Sequence, residues 1–345
     1  MTSTTHVAPA TSTSEDSDTG QALDIWGLNI GYGAGPDVVS DVNLRVAEGE
    51  IVGIIGESGC GKSSVGLALL GLLPAAARTE AYRLRVAGKD LVGLGERELA
   101  RIRGNDVSMI FQEPMSALNP VIRIGDQISE VLLLHGERDK RRAAARALEL
   151  LTMVQVPEPE LRMRQYPHQM SGGMRQRVMI AIAMAANPRL LVADEPTTAL
   201  DVTVQAQILA LLTQLRDKTG MGMVLISHDL GVIASTCDRV AVMYAGQIVE
   251  EGTPKQVMEN PAHPYTRGLL ASIPRRTHAA GTDLPAIIGG IRPEDRALPG
   301  CRFAARCPMA EQRCLQPQHL LDAETPGHTA RCVLSTRGLV TEDRS

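Results

Sequence analysis

One eight-residue run constrains the fold more than any other feature of the chain. Residues 56–63 read Gly-Glu-Ser-Gly-Cys-Gly-Lys-Ser and fit the phosphate-binding pattern G-x-x-x-x-G-K-[ST] at every fixed position. The apolar run before it predicts a buried strand over 51–55, and the run after it predicts a helix over 65–73. Strand, glycine-rich turn and helix in this order favour nucleotide binding over a chance glycine-rich turn.

Each part of this loop has a chemical role toward a nucleoside triphosphate. The glycines let successive N–H groups and the helix N-terminus point at phosphate oxygens. The Lys62 ammonium would reach the β- and γ-phosphates, and the Ser63 hydroxyl would coordinate Mg²⁺. The predicted ATP-binding residues of the loop are Gly56, Glu57, Ser58, Gly59, Cys60, Gly61, Lys62, Ser63 and Ser64.

Composition excludes several other functions. The 345 residues suggest roughly two domains. The net charge of −4 and the low aromatic content of 2% argue against a basic, aromatic surface for binding nucleic acid. The longest apolar runs fall short of the roughly 18 residues that a membrane span needs. Residues 1–21 are rich in Ser, Thr and acidic residues and lack the pattern of a signal peptide, so we expect a disordered tail on a cytoplasmic protein.

Past the loop, strand-like and helix-like segments alternate, which predicts a mainly parallel α/β sheet. The candidate strands are 107–111, 189–194, 223–227 and 239–244. Between the first two, Ile124, Ile128, Val131 and His135 share one face at helical spacing, and 138–154 reads as a second helix. We therefore expect an inserted helical subdomain over about 115–187.

The strand over 189–194 ends in two carboxylates with separate predicted roles. Asp194 is placed to hold Mg²⁺, directly or through water. Glu195 is the candidate general base that polarises the water attacking the γ-phosphate. A strand that simply enters solvent is the alternative, and the phosphate loop argues against it.

A second helix start at Ser171 predicts another anion site. Ser171 is a natural N-cap, and the free N–H groups of Gly172 and Gly173 follow it. About 15 residues of helix at 1.5 Å each span roughly 20 Å, which places this site too far away to serve the loop of the same subunit. We expect it to contact the nucleotide of a partner subunit.

Several motifs together resemble those of the ATPase subunits of ABC transporters. They are the S-G-G run at 171–173, F-Q-E-P at 111–114, A-L-D at 199–201 and I-S-H-D at 226–229, and the resemblance extends over about 22–255. It implies a P-loop NTPase of the ABC type, with a RecA-like mainly parallel core, an antiparallel β subdomain and a helical subdomain. It also implies two membrane permease subunits and a second ABC ATPase, either a paralogue or another copy.

The resemblance assigns further site residues. It implies that Tyr32 stacks on adenine, although core packing or a cation–π contact would also explain a tyrosine there. It implies that Gln112 senses Mg²⁺ and the attacking water while facing the permease, and that His228 contacts the γ-phosphate, where a structural histidine is the alternative. Asp201 would face the partner subunit.

The signature departs from the general ABC pattern at one position. Met174 stands where Gln is usual, which leaves open whether Met174 or Gln176 flanks the γ-phosphate of the partner's nucleotide.

A narrower resemblance involves F-Q-E-P-M-S-A-L-N-P at 111–120 and H-P-Y-T at 263–266. These are similar to the oligopeptide/dipeptide permease branch of ABC importers, which includes nickel-chelate relatives and implies an extracytoplasmic substrate-binding protein. Repeated prolines after 255 predict a linker into an appended module, so we divide the chain into 1–21, 22–255 and 256–345.

Four of the six cysteines cluster in the appended module: Cys301, Cys307, Cys314 and Cys332. Four thiolates suit a tetrahedral zinc or a four-cysteine iron–sulfur cluster, and free thiols are a third option. Resemblance to peptide-permease ATPases implies a [4Fe–4S] cluster. The segment has few large apolar residues, so we expect a bound metal group to supply much of its stability.

The sequence thus predicts an ATPase on the cytoplasmic face of the cell membrane that powers peptide import, with a nickel chelate or another small solute as alternative cargo. Long coiled-coil heptads or a second phosphate loop would favour a non-transport ABC ATPase, and the sequence has neither. An interaction module that uses nucleotide only as a switch is disfavoured by Glu195 and His228.

Overall fold

The structure is a computed structural model that describes residues 20–113, 117–198, 200–272, 287–323 and 326–335. The predicted disordered tail lies outside this description except for its last two residues, and Gln21 is the first residue of a strand. Residues 114–116 of the F-Q-E-P-M-S-A-L-N-P run and residue 199 of the A-L-D motif also lie outside it, as do 273–286, 324–325 and 336–345 of the appended module.

Two sheets organise the described residues. The strands are β1 (Gln21–Tyr32), β2 (Val39–Ala47), β3 (Ile51–Ile55), β4 (Ala77–Glu80), β5 (Arg83–Val86), β6 (Lys89–Asp90), β7 (Val107–Ile110), β8 (Leu190–Asp194), β9 (Gly222–Ile226), β10 (Arg239–Tyr244), β11 (Gln247–Gly252), β12 (Leu321–Asp322) and β13 (Thr329–Ala330). The larger sheet has the order β12-β13-β11-β10-β3-β9-β8-β7, and the smaller has β2-β1-β5-β6 with β4 also on β1.

The larger sheet has a parallel centre with antiparallel additions at one edge. Strands β10, β3, β9, β8 and β7 pair in parallel, whereas β11, β13 and β12 add in antiparallel fashion. Every residue of β3, β8 and β9 is buried, as expected for strands covered on both faces. The predicted parallel α/β core and its candidate strands are therefore confirmed, with shifts of one residue at some ends.

The helices surround this sheet or form the inserted block. They are α1 (Lys62–Leu69), α2 (Glu96–Ile102), α3 (Ile124–Leu134), α4 (Lys140–Met153), α5 (Pro159–Arg162), α6 (Gly172–Met184), α7 (Val202–Thr219), α8 (Leu230–Thr236), α9 (Pro254–Glu259), α10 (Pro264–Ala271) and α11 (Pro293–Arg296). Helices α3 to α6 lie between β7 and β8, and α3, α4 and α6 pack on one another. The two predicted helices of this block are confirmed as α3 and α4, although His135 lies just past the end of α3.

The chain after α10 returns to the core sheet. Strand β13 pairs with β11, and the buried Phe303 belongs to the same hydrophobic core as the parallel strands. The His328 Nε2 atom lies 2.7 Å from the Glu250 carboxylate of β11, and both residues are buried. These contacts dock the described residues 287–323 and 326–335 on the sheet. Within the described ranges no helix combines the length and apolarity needed to cross a bilayer.

Candidate functional site

The phosphate-loop sequence forms the expected turn between β3 and α1. Gly61 has φ 109° and is the N-cap of α1, a conformation that disfavours residues with a side chain. Gly56 has φ 154°, and a Cβ there would collide with the carbonyl oxygen of Met243. Ser58 and Gly59 are exposed at the tip of the turn. Glycine is thus required where the backbone turns and where it contacts β10.

The Lys62 ammonium lies inside the curl of the loop. Its Nζ atom donates to the carbonyl oxygens of Gly56 at 2.8 Å and Glu57 at 3.1 Å, and it lies 3.8 Å from the Cys60 sulfur. Burial raises the pKa of the Cys60 thiol, so this cysteine is a neutral packing group at pH 7. The loop therefore holds a buried cation among backbone groups, as an anion site requires.

Asp194 and Ser63, two of the three predicted Mg²⁺ residues, are in contact. Burial raises the pKa of Asp194, and a hydrogen bond from the Ser63 side chain opposes this rise. The Oδ1 atom of Asp194 is buried and has no hydrogen-bond partner among the described residues. A buried carboxylate oxygen without a partner beside a hydroxyl suits a hard cation such as Mg²⁺.

The structure brings the three predicted catalytic residues together. The Gln112 Nε2 atom donates to Glu195 Oε2 at 3.1 Å, and the His228 Nδ1 atom lies 3.2 Å from Glu195 Oε1. Thr198, which the sequence analysis did not identify, donates to Glu195 Oε2 at 2.9 Å. The Glu195 side chain is only 15% exposed, whereas that of His228 is 65% exposed. The carboxylate is therefore fixed by three neighbours at the end of β8.

The backbone at Glu195 is unusual. Its φ of 47° lies in the left-handed region, which costs a residue with a Cβ about 1 kcal/mol or more. The Glu195 N–H donates to the carbonyl oxygen of Ile226 in the neighbouring β9, which continues the parallel pairing past the end of β8. The turn directs the Asp194 carboxylate toward Ser63 and the Glu195 carboxylate toward Gln112 and His228, so the two acids can take separate roles.

Tyr32 lies at the end of β1 and close to the loop. Its hydroxyl is 3.5 Å from the Ser64 hydroxyl of α1, and the ring is partly buried against the smaller hydrophobic core. The predicted adenine-stacking residue is therefore next to the loop, while the packing alternative also has support.

The signature residues begin α6 as predicted. Ser171 is the N-cap, and its hydroxyl accepts a hydrogen bond from the Met174 N–H at 3.3 Å. A Cβ on Gly173 would lie 2.8 Å from the Val204 side chain of α7, so this position is tightly packed. Asp201 caps α7 in the same way, accepting from the Val204 N–H at 2.9 Å. Two capped helix starts thus meet here.

The two candidates for flanking a partner's phosphate differ in burial. Gln176 is 3% exposed, and its Nε2 atom has no hydrogen-bond partner among the described residues. Met174 is half-buried and packs against the main core.

Arg177, in the same helix, connects the helical block to α7. Its side chain donates hydrogen bonds to the Val154 carbonyl oxygen at the C-cap of α4, at 2.8 Å, and to Gln207 of α7, at 3.1 Å.

The four clustered cysteines are free thiols. Burial raises the pKa of Cys301 to about 12, and the other three thiols add to this shift. Their donor chemistry suits a metal group. Within the part of the chain that the structure describes, however, no group of three or more His, Cys, Asp or Glu side chains is arranged to hold a metal ion. The positions of the thiols therefore support neither the predicted [4Fe–4S] cluster nor the zinc alternative.

Sequence reasoning missed how the appended segment contacts the phosphate loop. The Glu57 N–H donates to the Tyr265 hydroxyl at 2.9 Å, and the Glu57 carboxylate pairs with Arg306. Tyr265 belongs to the H-P-Y-T motif, which was noticed only as a branch signature. Composition and periodicity contain no signal for contacts between residues more than 200 positions apart.

Comparisons with known proteins agree with this geometry. Residues 39–198 match the ABC transporter family, and residues 249–314 match the C-terminal region of oligopeptide/dipeptide transporters. The chain is 49% identical to the probable peptide ABC transporter ATP-binding protein y4tR of Sinorhizobium fredii, over 84% of this chain and 87% of that protein. The chain belongs to the ABC transporter family. It is an ABC-type ATPase of the oligopeptide/dipeptide transporter group.

Other relatives extend the comparison. The chain is 49% identical to the oligopeptide transport ATP-binding protein AppD of Bacillus subtilis, covering 86% of this chain and 90% of AppD. Among solved structures, the dimeric ATP-binding cassette MJ0796 bound to ADP and Pi superposes with a TM-score of 0.60 at 29% identity, over 67% of this chain and 98% of that one. CbiO1 of Clostridium perfringens, at 24% identity and a TM-score of 0.62 over 70% of this chain and 92% of that one, shares the fold.

Proposed function

We propose that this ABC ATPase powers the import of peptides by closing and opening a two-subunit ATP sandwich that is coupled to membrane permease subunits. The observation that carries the proposal is the fixed position of the Glu195 carboxylate, which accepts a hydrogen bond from Gln112 and lies 3.2 Å from the His228 Nδ1 atom. A carboxylate held in this way next to a phosphate loop is suited to polarise an attacking water. Nickel chelates and other small solutes are the alternative cargoes.

The chain's own residues divide the work at the ATP site. Lys62 and the loop N–H groups would bind the phosphates. Ser63, Asp194 and Gln112 would hold Mg²⁺, which would supply neutralising charge beside the transferred group. Glu195 orients the water, while Gln112 and His228 hold the Glu195 carboxylate in place. Tyr32 supports the adenine.

The partners follow from the family and from where the signature lies. MJ0796 was solved as a dimer, which supports pairing of this chain with a second cassette, so that Ser171, Gly172 and Gly173 of one subunit face the nucleotide of the other. Residues 22–255 would form the nucleotide-binding domain and 256–345 the appended module. We place the subunit on the cytoplasmic face of the membrane, below two permease subunits supplied with cargo by a substrate-binding protein.

Peptide cargo is supported by the names of the relatives. AppD is an oligopeptide transport protein, and the dipeptide transport ATP-binding protein DppD of Bacillus subtilis is 47% identical over 88% of this chain and 90% of DppD. The match of 249–314 to the oligopeptide/dipeptide transporter region points the same way.

The catalytic assignment is tested by Glu195→Gln in the assembled transporter. We expect ATP affinity to be kept and turnover to fall at least about a hundredfold, because the general base is lost while the loop is intact. Lys62→Ala should instead weaken ATP binding, and Glu149→Gln, on the exposed face of α4, should change neither. Phosphate release and equilibrium ATP binding measure the two effects. Turnover of Glu195→Gln at the parental rate would contradict the assignment.

We further propose that the four module cysteines bind a [4Fe–4S] cluster when iron and sulfide are supplied. The proposal is supported by four free thiols, three of which raise the pKa of the fourth, Cys301, and it requires them to approach a common centre more closely than they do in this structure. Protein purified anaerobically should contain about four irons and four sulfides per chain, and Cys307→Ser should lose both. Stoichiometric zinc without sulfide, or no metal, would contradict it.

A further inference from the structure

Two residues of the appended module, Tyr265 and Arg306, contact Glu57, the first variable residue of the phosphate loop. The Glu57 N–H donates to the hydroxyl of Tyr265, a buried residue of α10. The two Glu57 carboxylate oxygens accept from Arg306 Nη1 at 2.9 Å and Nη2 at 3.0 Å. Both the backbone and the side chain of Glu57 are therefore fixed by residues outside the strand–loop–helix unit.

Arg306 is itself held in one orientation. Its side chain is 7% exposed, and its Nε atom donates to the carbonyl oxygen of Ile288 at 3.0 Å. Its Nη atoms also donate to Gly289 at 2.9 Å and to the Tyr244 hydroxyl at 3.2 Å. A planar guanidinium with these partners can bind a carboxylate through both oxygens only in this position.

Two more arginines of the same segment contact the loop or the turn beneath it. Arg296 donates to the Gly59 carbonyl at 2.6 Å, at the exposed tip of the loop. Arg302 donates to the Ala245 carbonyl at 2.5 Å, and the next residue, Gly246, bonds through its N–H to the Cys60 carbonyl at 2.9 Å. The loop is thus attached to the appended segment along its length.

The charge of Glu57 gives the Arg306 contact a consequence for ligand binding. The loop binds a ligand with several negative charges, and an unpaired carboxylate in that loop would repel it. The bidentate pair with Arg306 cancels this charge and fixes the side chain that carries it. Loss of Arg306 would leave the repulsion in place even if the loop kept its backbone shape.

We propose that Arg306 is a positioning residue of the ATP site, which anchors and neutralises Glu57 so that the loop is preorganised for the phosphates. Nucleotide affinity then depends on the docked state of residues 287–335. The inference rests on the proposed ATPase function, since ATP is the ligand considered. It assigns to the appended segment a direct role at the nucleotide site.

A double-mutant cycle on the full chain tests this role. Arg306→Gln should weaken MgATP binding by about five- to tenfold when Glu57 is present, because the Glu57 carboxylate is then no longer held away from the phosphates. In the Glu57→Gln background the loss should be less than about twofold, because Arg306 then has no carboxylate to position. Arg306→Lys, which keeps the charge but loses the bidentate geometry, should fall between the parent and Arg306→Gln. Higher salt should reduce the difference in MgATP affinity between Arg306→Gln and the parent, because salt screens the repulsion. Isothermal titration calorimetry measures the MgATP affinities of the parent, the two single Gln variants, the double variant and Arg306→Lys.

Controls separate the possible failures. Arg313→Gln removes an ion pair with Glu311 in the same segment and should keep the parental affinity. Thermal unfolding and circular dichroism verify that each variant is folded. If the parent does not bind MgATP, the proposed ATPase function fails. If the parent binds and Arg306→Gln binds equally well, or loses the same factor in both backgrounds, the positioning role is overturned.

Discussion

His263 shows how burial decides the charge of a single side chain. The ring is 1% exposed, and its Nδ1 atom accepts a hydrogen bond from the Tyr265 N–H at 3.1 Å. Burial lowers the pKa of His263 to about 4. The positive charge of Arg267 lowers it further, and the negative charge of Glu250 partly opposes this shift. The ring is therefore neutral at pH 7, with Nδ1 as the acceptor that caps α10.

This neutral histidine predicts loss of stability in acid. The folded protein binds the proton less well than the unfolded chain, whose histidine pKa is 6.5, so the contribution is complete above pH 6.5 and is lost as the pH falls toward 4. Lowering the pH from about 7.5 to about 5 should reduce the free energy of unfolding by about 2 kcal/mol through His263 alone. The full reduction, reached below pH 4, is about 3 kcal/mol. Urea unfolding at both pH values measures the change.

The matched variant is His263→Asn, because an asparagine side chain keeps an acceptor at the start of α10 and does not titrate. Its stability should fall by about 2 kcal/mol less than that of the parent over the same pH range. Equal losses in the two proteins would show that His263 is not the titrating group.

At the scale of elements, local sequence predicted the strand and the helix on either side of the phosphate loop. The predicted strand over 51–55 is β3, and the predicted helix over 65–73 is α1, although α1 runs from Lys62 to Leu69. The helix begins earlier because Gly61, in a left-handed conformation, caps it directly after the loop. It ends earlier because Gly71 has a positive φ; beyond it Leu72 is exposed and Leu73 packs against the smaller hydrophobic core.

Asp194 and Glu195 show where local reasoning ends. Alternation along a strand predicted that neighbouring acids point to different sides, and the structure places Asp194 by Ser63 and Glu195 by Gln112 and His228. The left-handed backbone at Glu195 and the hydrogen bond from Thr198 could not be predicted, because both depend on how the turn after β8 meets β9. Sequence gives residue types and order, and the turn geometry comes from packing.

At the scale of the whole molecule, the structure changes how the appended segment is stabilised. The sequence predicted a small module that depends on a bound metal, because it has few large apolar residues of its own. The structure instead docks Phe303 against Tyr244 at 5.2 Å and Tyr265 at 5.5 Å between ring centroids, and pairs β13 with β11. The segment shares the core of the ATPase and needs no separate one.

This docking predicts which substitution releases the segment. Phe303 is 2% exposed, so Phe303→Ala should cost about 3–5 kcal/mol and should speed amide hydrogen exchange across residues 287–335. Because Arg306 lies in that segment, MgATP affinity should fall with it. Phe303→Leu, which keeps most of the apolar volume, is the milder control, and Cys307→Ser in metal-free protein should leave the exchange unchanged. Exchange that rises in Cys307→Ser but not in Phe303→Ala would instead show that the thiols, and not the shared core, hold the segment on the ATPase.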